Sequence, residues 1–261
     1  MKRRWIVAAV VAWAVVVAGL ALYSHSHGQP TAREQTTIAE ALPTVDGALG
    51  RIYSALDPAS SVAVLGAYRR TEMSCRVTSA REGTRFARDL TVYVKKSAEG
   101  ATLDRVKAAL PAAYKASVVH NAGTDLLSAD AGNFVAVRGG APEPGQLRFT
   151  ADTGCRVQDA PVTEATPPAQ NANQAPVQAV LDTLGKPASQ WRAHRLACPA
   201  GGTLWTVEAV TSGDSDAARA TVPAPAVVLD EPKVYAYRAG AAGVALRMER
   251  DSLVVSSTVG C

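Results

Sequence analysis

Residues 5–23, WIVAAVVAWAVVVAGLALY, form an apolar run without one charged side chain. At the helical rise such a run spans about 28 Å, close to the hydrocarbon thickness of a bilayer. Trp5 and Tyr23 bracket it as interfacial aromatics do, and Lys2, Arg3 and Arg4 precede it. Basic residues ahead of an apolar span stay on the cytoplasmic side. The pattern therefore predicts a cytoplasmic tip at residues 1–4 and an uncleaved signal-anchor helix at 5–23, single-pass in the plasma membrane. The lipid bilayer is its first partner, and everything after the helix lies outside. The run ends in Ala21-Leu22-Tyr23-Ser24, a poor match to the small-x-small site that signal cleavage wants.

Beyond the anchor the pattern changes twice. Residues 24–37 are polar, with Gly28 and Pro30, and read as a flexible tether. Residues 159–175, DAPVTEATPPAQNANQA, have no apolar periodicity and read as a semi-extended linker. Between and after these breaks lie two regions, 38–158 and 176–261. Each opens with helical spacing: Val45, Leu49, Ile52 and Leu56 fall on one face, and so do Val177, Val180, Leu181 and Leu184. Each continues with a basic segment that reaches a cysteine, Cys75 or Cys198. A β-type run follows, Leu90 to Val94 or Leu204 to Glu208. Each closes with a hairpin pattern that ends in Gly-Cys, at Cys155 and Cys261.

The predicted fold class is α+β: a transmembrane helix, then two tandem small modules. Each module is an antiparallel sheet with one or two helices and one disulfide. The recurring order marks an internal repeat. The halves differ between their strands. The first has helical spacing from Glu99 to Tyr114, broken at Pro111. In the second, residues 214–226 carry Pro223 and Pro225, so a helix there is short or absent. The first also has a longer charged loop at 76–88. Val244, Leu246 and Met248 are expected on the buried side of a strand, with Ala245, Arg247 and Glu249 on the other.

Four cysteines in an exported chain allow three connectivities. The repeated plan selects Cys75–Cys155 and Cys198–Cys261, each joining the end of an early strand to the end of the last one.

Charge narrows the partners. The chain has 27 basic and 23 acidic residues; without the N-terminal tip it has 24 against 23. That near-neutral balance carries no stripe for nucleic acid. Ala, Val and Arg usage matches GC-rich bacterial genomes. The arginines at 69, 70, 76, 81, 85 and 88 interleave with Glu72, Glu82 and Asp89, and read as a solvated face. Trp191 and Trp205 read as core, and His194 as a surface residue of a strand.

Candidate chemistry is sparse. Metalloprotease, P-loop, nucleophile-elbow and Ser-x-x-Lys patterns are missing from the sequence. His25 and His27 alternate on the tether, short of the three or four ligands a metal site needs. Thr153-Gly154-Cys155-Arg156-Val157 resembles the Gly-Cys-basic-apolar signature of the L,D-transpeptidases that crosslink peptidoglycan. The resemblance implies a thiolate at Cys155 activated by a histidine, for which His120 is the upstream candidate. Asp152 stands where the signature has Ser or Thr, and His120 is followed by Asn121 rather than Gly. The expected disulfide also occupies Cys155. The sequence therefore predicts no catalytic, cofactor or metal site. It predicts a non-enzymatic binding or interaction module of the cell envelope, with an envelope protein or a cell-wall polymer as partner. The alternatives are an exported thiol enzyme acting on the wall through Cys155 and an accessory subunit of a membrane complex.

Overall fold

The structure is a computed structural model that describes residues 2–27, 36–71, 74–78, 81–121, 124–164, 174–213, 218–219, 221–222, 224 and 226–261. The chain divides into two compact units, residues 1–35 and 36–261. The first contains helix α1 (Lys2–His27), whose stretch Arg4–Tyr23 has a mean hydropathy of 2.5. Trp5, Val10, Trp13, Val16 and Leu20 are all exposed along it, so the helix is apolar on every side. It is long and apolar enough to cross a bilayer. The helix runs on to His27, so the first residues of the expected tether are helical; 28–35 lie outside the described residues.

The second unit holds, in chain order, α2 (Ile38–Ala55), β1 (Ser61–Arg70), β2 (Cys75–Arg76), β3 (Glu82–Gly83), β4 (Phe86–Val94), α3 (Glu99–Ala109), β5 (Ser117–Asn121), β6 (Thr124–Asp130), β7 (Ala136–Glu143), β8 (Gln146–Asp152), α4 (Ala175–Leu184), β9 (Gln190–Ala197), β10 (Thr203–Thr211), β11 (Ala226–Glu231), β12 (Val234–Ala239), β13 (Ala242–Glu249) and β14 (Ser252–Val259). A capping box starts α2. Thr37 Oγ1 accepts from Glu40 N at 3.4 Å, and Glu40 Oε2 accepts from Thr37 N at 2.8 Å. In α3, Leu110 turns extended ahead of Pro111, and a single 3-10 turn, Ala112–Tyr114, follows. Proline has no N–H for the helical ladder, so the expected helix stops there.

Two six-stranded antiparallel sheets result. Their orders are β1-β4-β8-β7-β6-β5 and β9-β10-β14-β13-β12-β11. Counted within each half, both read first, second, sixth, fifth, fourth, third. The disulfides occupy matching places: Cys75–Cys155 and Cys198–Cys261 each tie a residue beyond the first strand to one beyond the last. Their Cα separations are 5.8 and 5.3 Å. The glycine before each closing cysteine has a positive φ, +68° at Gly154 and +126° at Gly260, a turn that a side chain opposes. At Gly260 an added Cβ would stand 2.3 Å from Thr203 O. Of the charged loop at 76–88, the structure forms the small β2–β3 hairpin and the start of β4.

The two sheets stack face to face, with helices on the outer sides. Leu65, Leu90, Val92, Leu147 and Phe149 pack under Val45, Leu49 and Ile52 of α2 and Leu103 and Val106 of α3. Tyr237, Val244, Leu246 and Val255 pack under Val177, Val180 and Leu181 of α4. Between the sheets, Val62, Val64 and Tyr93 meet Leu229, Ala236 and Ala245. Small side chains allow that approach; Gly243 lies so close to Val62 that an added Cβ would be 3.3 Å from Cγ1. This stacking changes one expectation. Val244 and Leu246 do turn to α4, but the opposite face of β13 is open to solvent only toward its end, at Glu249. Ala245 is fully buried, because the other sheet covers it.

Candidate functional site

Where the sheets diverge they enclose a cleft of about 1020 Å³. One wall is the face of β4 and β8 that carries Asp89, Thr91, Tyr93, Gln146 and Arg148. The other carries Arg192, His194, Glu208, Arg247 and Glu249. Period-two alternation places each set on one face, and the register aligns them: Thr91 opposes Arg148, Tyr93 opposes Gln146, and Glu208 opposes Arg192.

A chain of acidic and basic side chains runs from the helix side through to this cleft. Arg88 is 1% exposed and lies on the apolar face of β4, among Phe86, Leu90 and Val92. It donates to Asp46 Oδ1 at 2.7 Å, Arg195 O at 2.9 Å and Gly66 O at 3.0 Å, and it stacks on the Tyr68 ring. Glu164 Oε2 is 3.8 Å from Arg88 and 3.2 Å from His194 Nδ1, and Glu164 Oε1 accepts from Tyr68 N. His194 Nε2 is 3.9 Å from Glu208, which pairs with Arg247 at 2.7 Å.

Burial on its own would raise the Glu164 carboxyl. Hydrogen bonds from His194 and Tyr68 N–H, with the Arg88 charge, outweigh it and hold the group below the usual carboxylate value. Burial likewise disfavours the Arg247 cation, but Glu208, Tyr93 and Glu249 reverse that and hold it above the ordinary guanidinium value. Burial pushes the Tyr93 phenol up. Through Glu164 these contacts tie the start of the segment between the two halves to both sheets.

The structure corrects three sequence expectations here. His194 is 5% exposed, not a surface residue. Arg88 is buried and Arg85 pairs with Asp152 at 2.7 Å, so the arginine run is only partly a solvated face; Arg70, Arg76 and Arg81 remain exposed. Trp191 and Trp205 are half-buried, and neither lines the cleft. Sequence reasoning missed Arg88 although a signal existed: it falls in step with Phe86, Leu90 and Val92 at period two.

The cysteines predicted as a site are all in disulfides, Cys75 with Cys155 and Cys198 with Cys261. A bridged Cys155 has no thiolate to offer. Its neighbour Arg156 is 1% exposed and donates to Thr153 O at 2.6 Å, Asn133 O and Thr36 Oγ1. Val157 O accepts from Ile38 N at 2.9 Å. The segment that resembles the transpeptidase signature thus fastens the start of α2. His120 lies on β5, with β7 and β6 between it and β8. Its ring contacts Asp125 at 2.8 Å and Asp104 at 3.3 Å, and the hydrogen bonds its ring donates to those carboxylates hold its pKa above the usual imidazole value. His25 and His27 are in the last turn of α1, and their side chains lie outside the described residues. Among the described residues no cluster of three or more His, Cys, Asp or Glu side chains fits a metal ion. No family model, curated protein or solved structure matches this chain.

Proposed function

We propose that this protein is a membrane-anchored binding protein of the cell envelope, with its ligand site in the cleft between the two sheets. Helix α1 is the anchor; Lys2, Arg3 and Arg4 keep its start in the cytoplasm and the disulfide-closed unit outside. The two halves are tandem copies of one module, a reading supported by their shared strand order and matched disulfides. The observation that carries the binding role is the cleft itself: about 1020 Å³, walled by two sheets and lined by fixed ion pairs. That volume stands at the upper end of the range for ligand sites.

The test is in-cell photocrosslinking. Benzoylphenylalanine replaces Thr91 on the cleft wall in one version of the full chain, and exposed Arg51 on α2 in another. An adduct formed from position 91 and not from 51 is the expected result. Equal labelling from both positions, or none from position 91, overturns the reading.

A further inference from the structure

The charges on the cleft walls sort into matched and unmatched groups. Arg69 pairs with Asp89 at 2.9 Å, Arg247 with Glu208 at 2.7 Å and with Glu249 at 2.9 Å, Arg192 with Glu249 at 3.9 Å, and Glu231 with Lys96 at 2.5 Å. Among the described residues Arg148 and Lys233 have no carboxylate partner, and Glu143 has no cationic one. Tyr93 adjoins them: it lines the cleft, its ring is buried, and its hydroxyl makes no hydrogen bond to the described residues, which leaves it a donor open to the cleft. Tyr93 opposes Gln146, Glu143 opposes Gln146 from the other side, and Arg148 is the next residue on the same face of β8. One wall therefore presents two free donors, a guanidinium and a phenol, beside one free carboxylate.

We infer that the cleft binds a short peptide through a free carboxylate, which Arg148 and the Tyr93 hydroxyl take, while Glu143 takes an ammonium group of the same ligand. A planar guanidinium receives a carboxylate through two parallel hydrogen bonds. The five wall carboxylates, Asp89, Glu143, Glu208, Glu231 and Glu249, balance five cations, Arg69, Arg148, Arg192, Lys233 and Arg247, so the lining suits a ligand that carries both signs better than a polyphosphate. Val64, Leu229, Val234 and Met248 supply apolar wall for aliphatic side chains. A site of this volume is larger than a single amino acid needs. The inference rests on the reading of the cleft as a binding site.

The full chain, immobilised in lipid nanodiscs, is exposed to a randomised tetrapeptide pool with free carboxyl ends and to the same pool amidated. Retained peptides are quantified by mass spectrometry. The expected result is that free-acid peptides are retained on the order of tenfold or more above the amidated pool, the worth of one charge-assisted hydrogen bond. That excess disappears with Arg148→Met, an exposed position whose change leaves the core intact, and falls with Tyr93→Phe. No retention, equal retention of the two pools, or an excess that survives Arg148→Met overturns it. A position-91 adduct without peptide retention leaves the binding site standing and removes the peptide; loss of both removes both.

Discussion

Arg88→Met should be among the most damaging single changes in the sheet unit. Methionine keeps much of the aliphatic volume, so the cavity left is small. What disappears is the guanidinium that four groups share: Asp46 from α2, Gly66 O from β1, Arg195 O from β9, and Glu164. Removing one partner of a buried ion pair costs about 3–5 kcal/mol, because the other charge stays behind without its counterion. The Asp46 side chain is 22% exposed, so water recovers part of the loss and the lower end, about 3 kcal/mol, is expected. Against a typical total of about 5–15 kcal/mol that is a large share. Urea unfolding of the full chain in detergent, followed by tryptophan emission, reads it through Trp191 and Trp205. With a slope of about 2–3 kcal/mol per molar urea the midpoint should fall by about 1–1.5 M. Arg105→Met is the control: its pair with Asp57 is exposed on both sides, where water and salt screen it, and should leave the midpoint nearly unmoved. The double variant Asp46→Asn/Arg88→Met should cost less than the two single changes together, since the orphaned charge is gone. If Arg88→Met moves stability no more than Arg105→Met, the buried network does not join the halves as described.

Two further outcomes follow from the geometry. Non-reducing digestion and mass mapping should return Cys75–Cys155 and Cys198–Cys261. Their sequence separations of 80 and 63 residues make each worth about 4–5 kcal/mol in the chain-entropy model, so Cys→Ser pairs at either bridge should unfold far earlier than the parent; a free, alkylatable Cys155 would contradict this. His120 has a folded-state pKa above its unfolded value, so its contribution is complete below the ordinary imidazole value and lost as pH rises through the raised one. His120→Gln should therefore be less stable than the parent at about pH 5 and converge with it by about pH 8.5, and a gap that stays constant across that range refutes the Asp104–His120–Asp125 clasp.

Much of the site was hidden for one physical reason. Alternation says which residues share a strand face, but not what covers that face. His194, Arg247 and Glu208 sit on faces that read as solvent-facing in a lone sheet, and they become a buried charge network only because a second sheet lies over them. Glu164 was legible only as part of a polar linker; its role depends on partners 96 and 30 residues away in sequence, Tyr68 and His194.

The sequence by itself determined the local elements and their punctuation. An uncharged run of helical length, helical spacing that stops at Pro111, closing hairpins and two Gly-Cys ends all follow from interactions within a few residues. It also determined the cysteine pairing, because a repeated order of elements leaves each half one matched pair. Tertiary structure alone decided the strand order, the stacking of the two sheets and the cleft between them. Those depend on contacts between residues far apart in the chain, where small side chains such as Ala236, Gly243 and Ala245 let the sheets approach and charged ones line the cleft beside them.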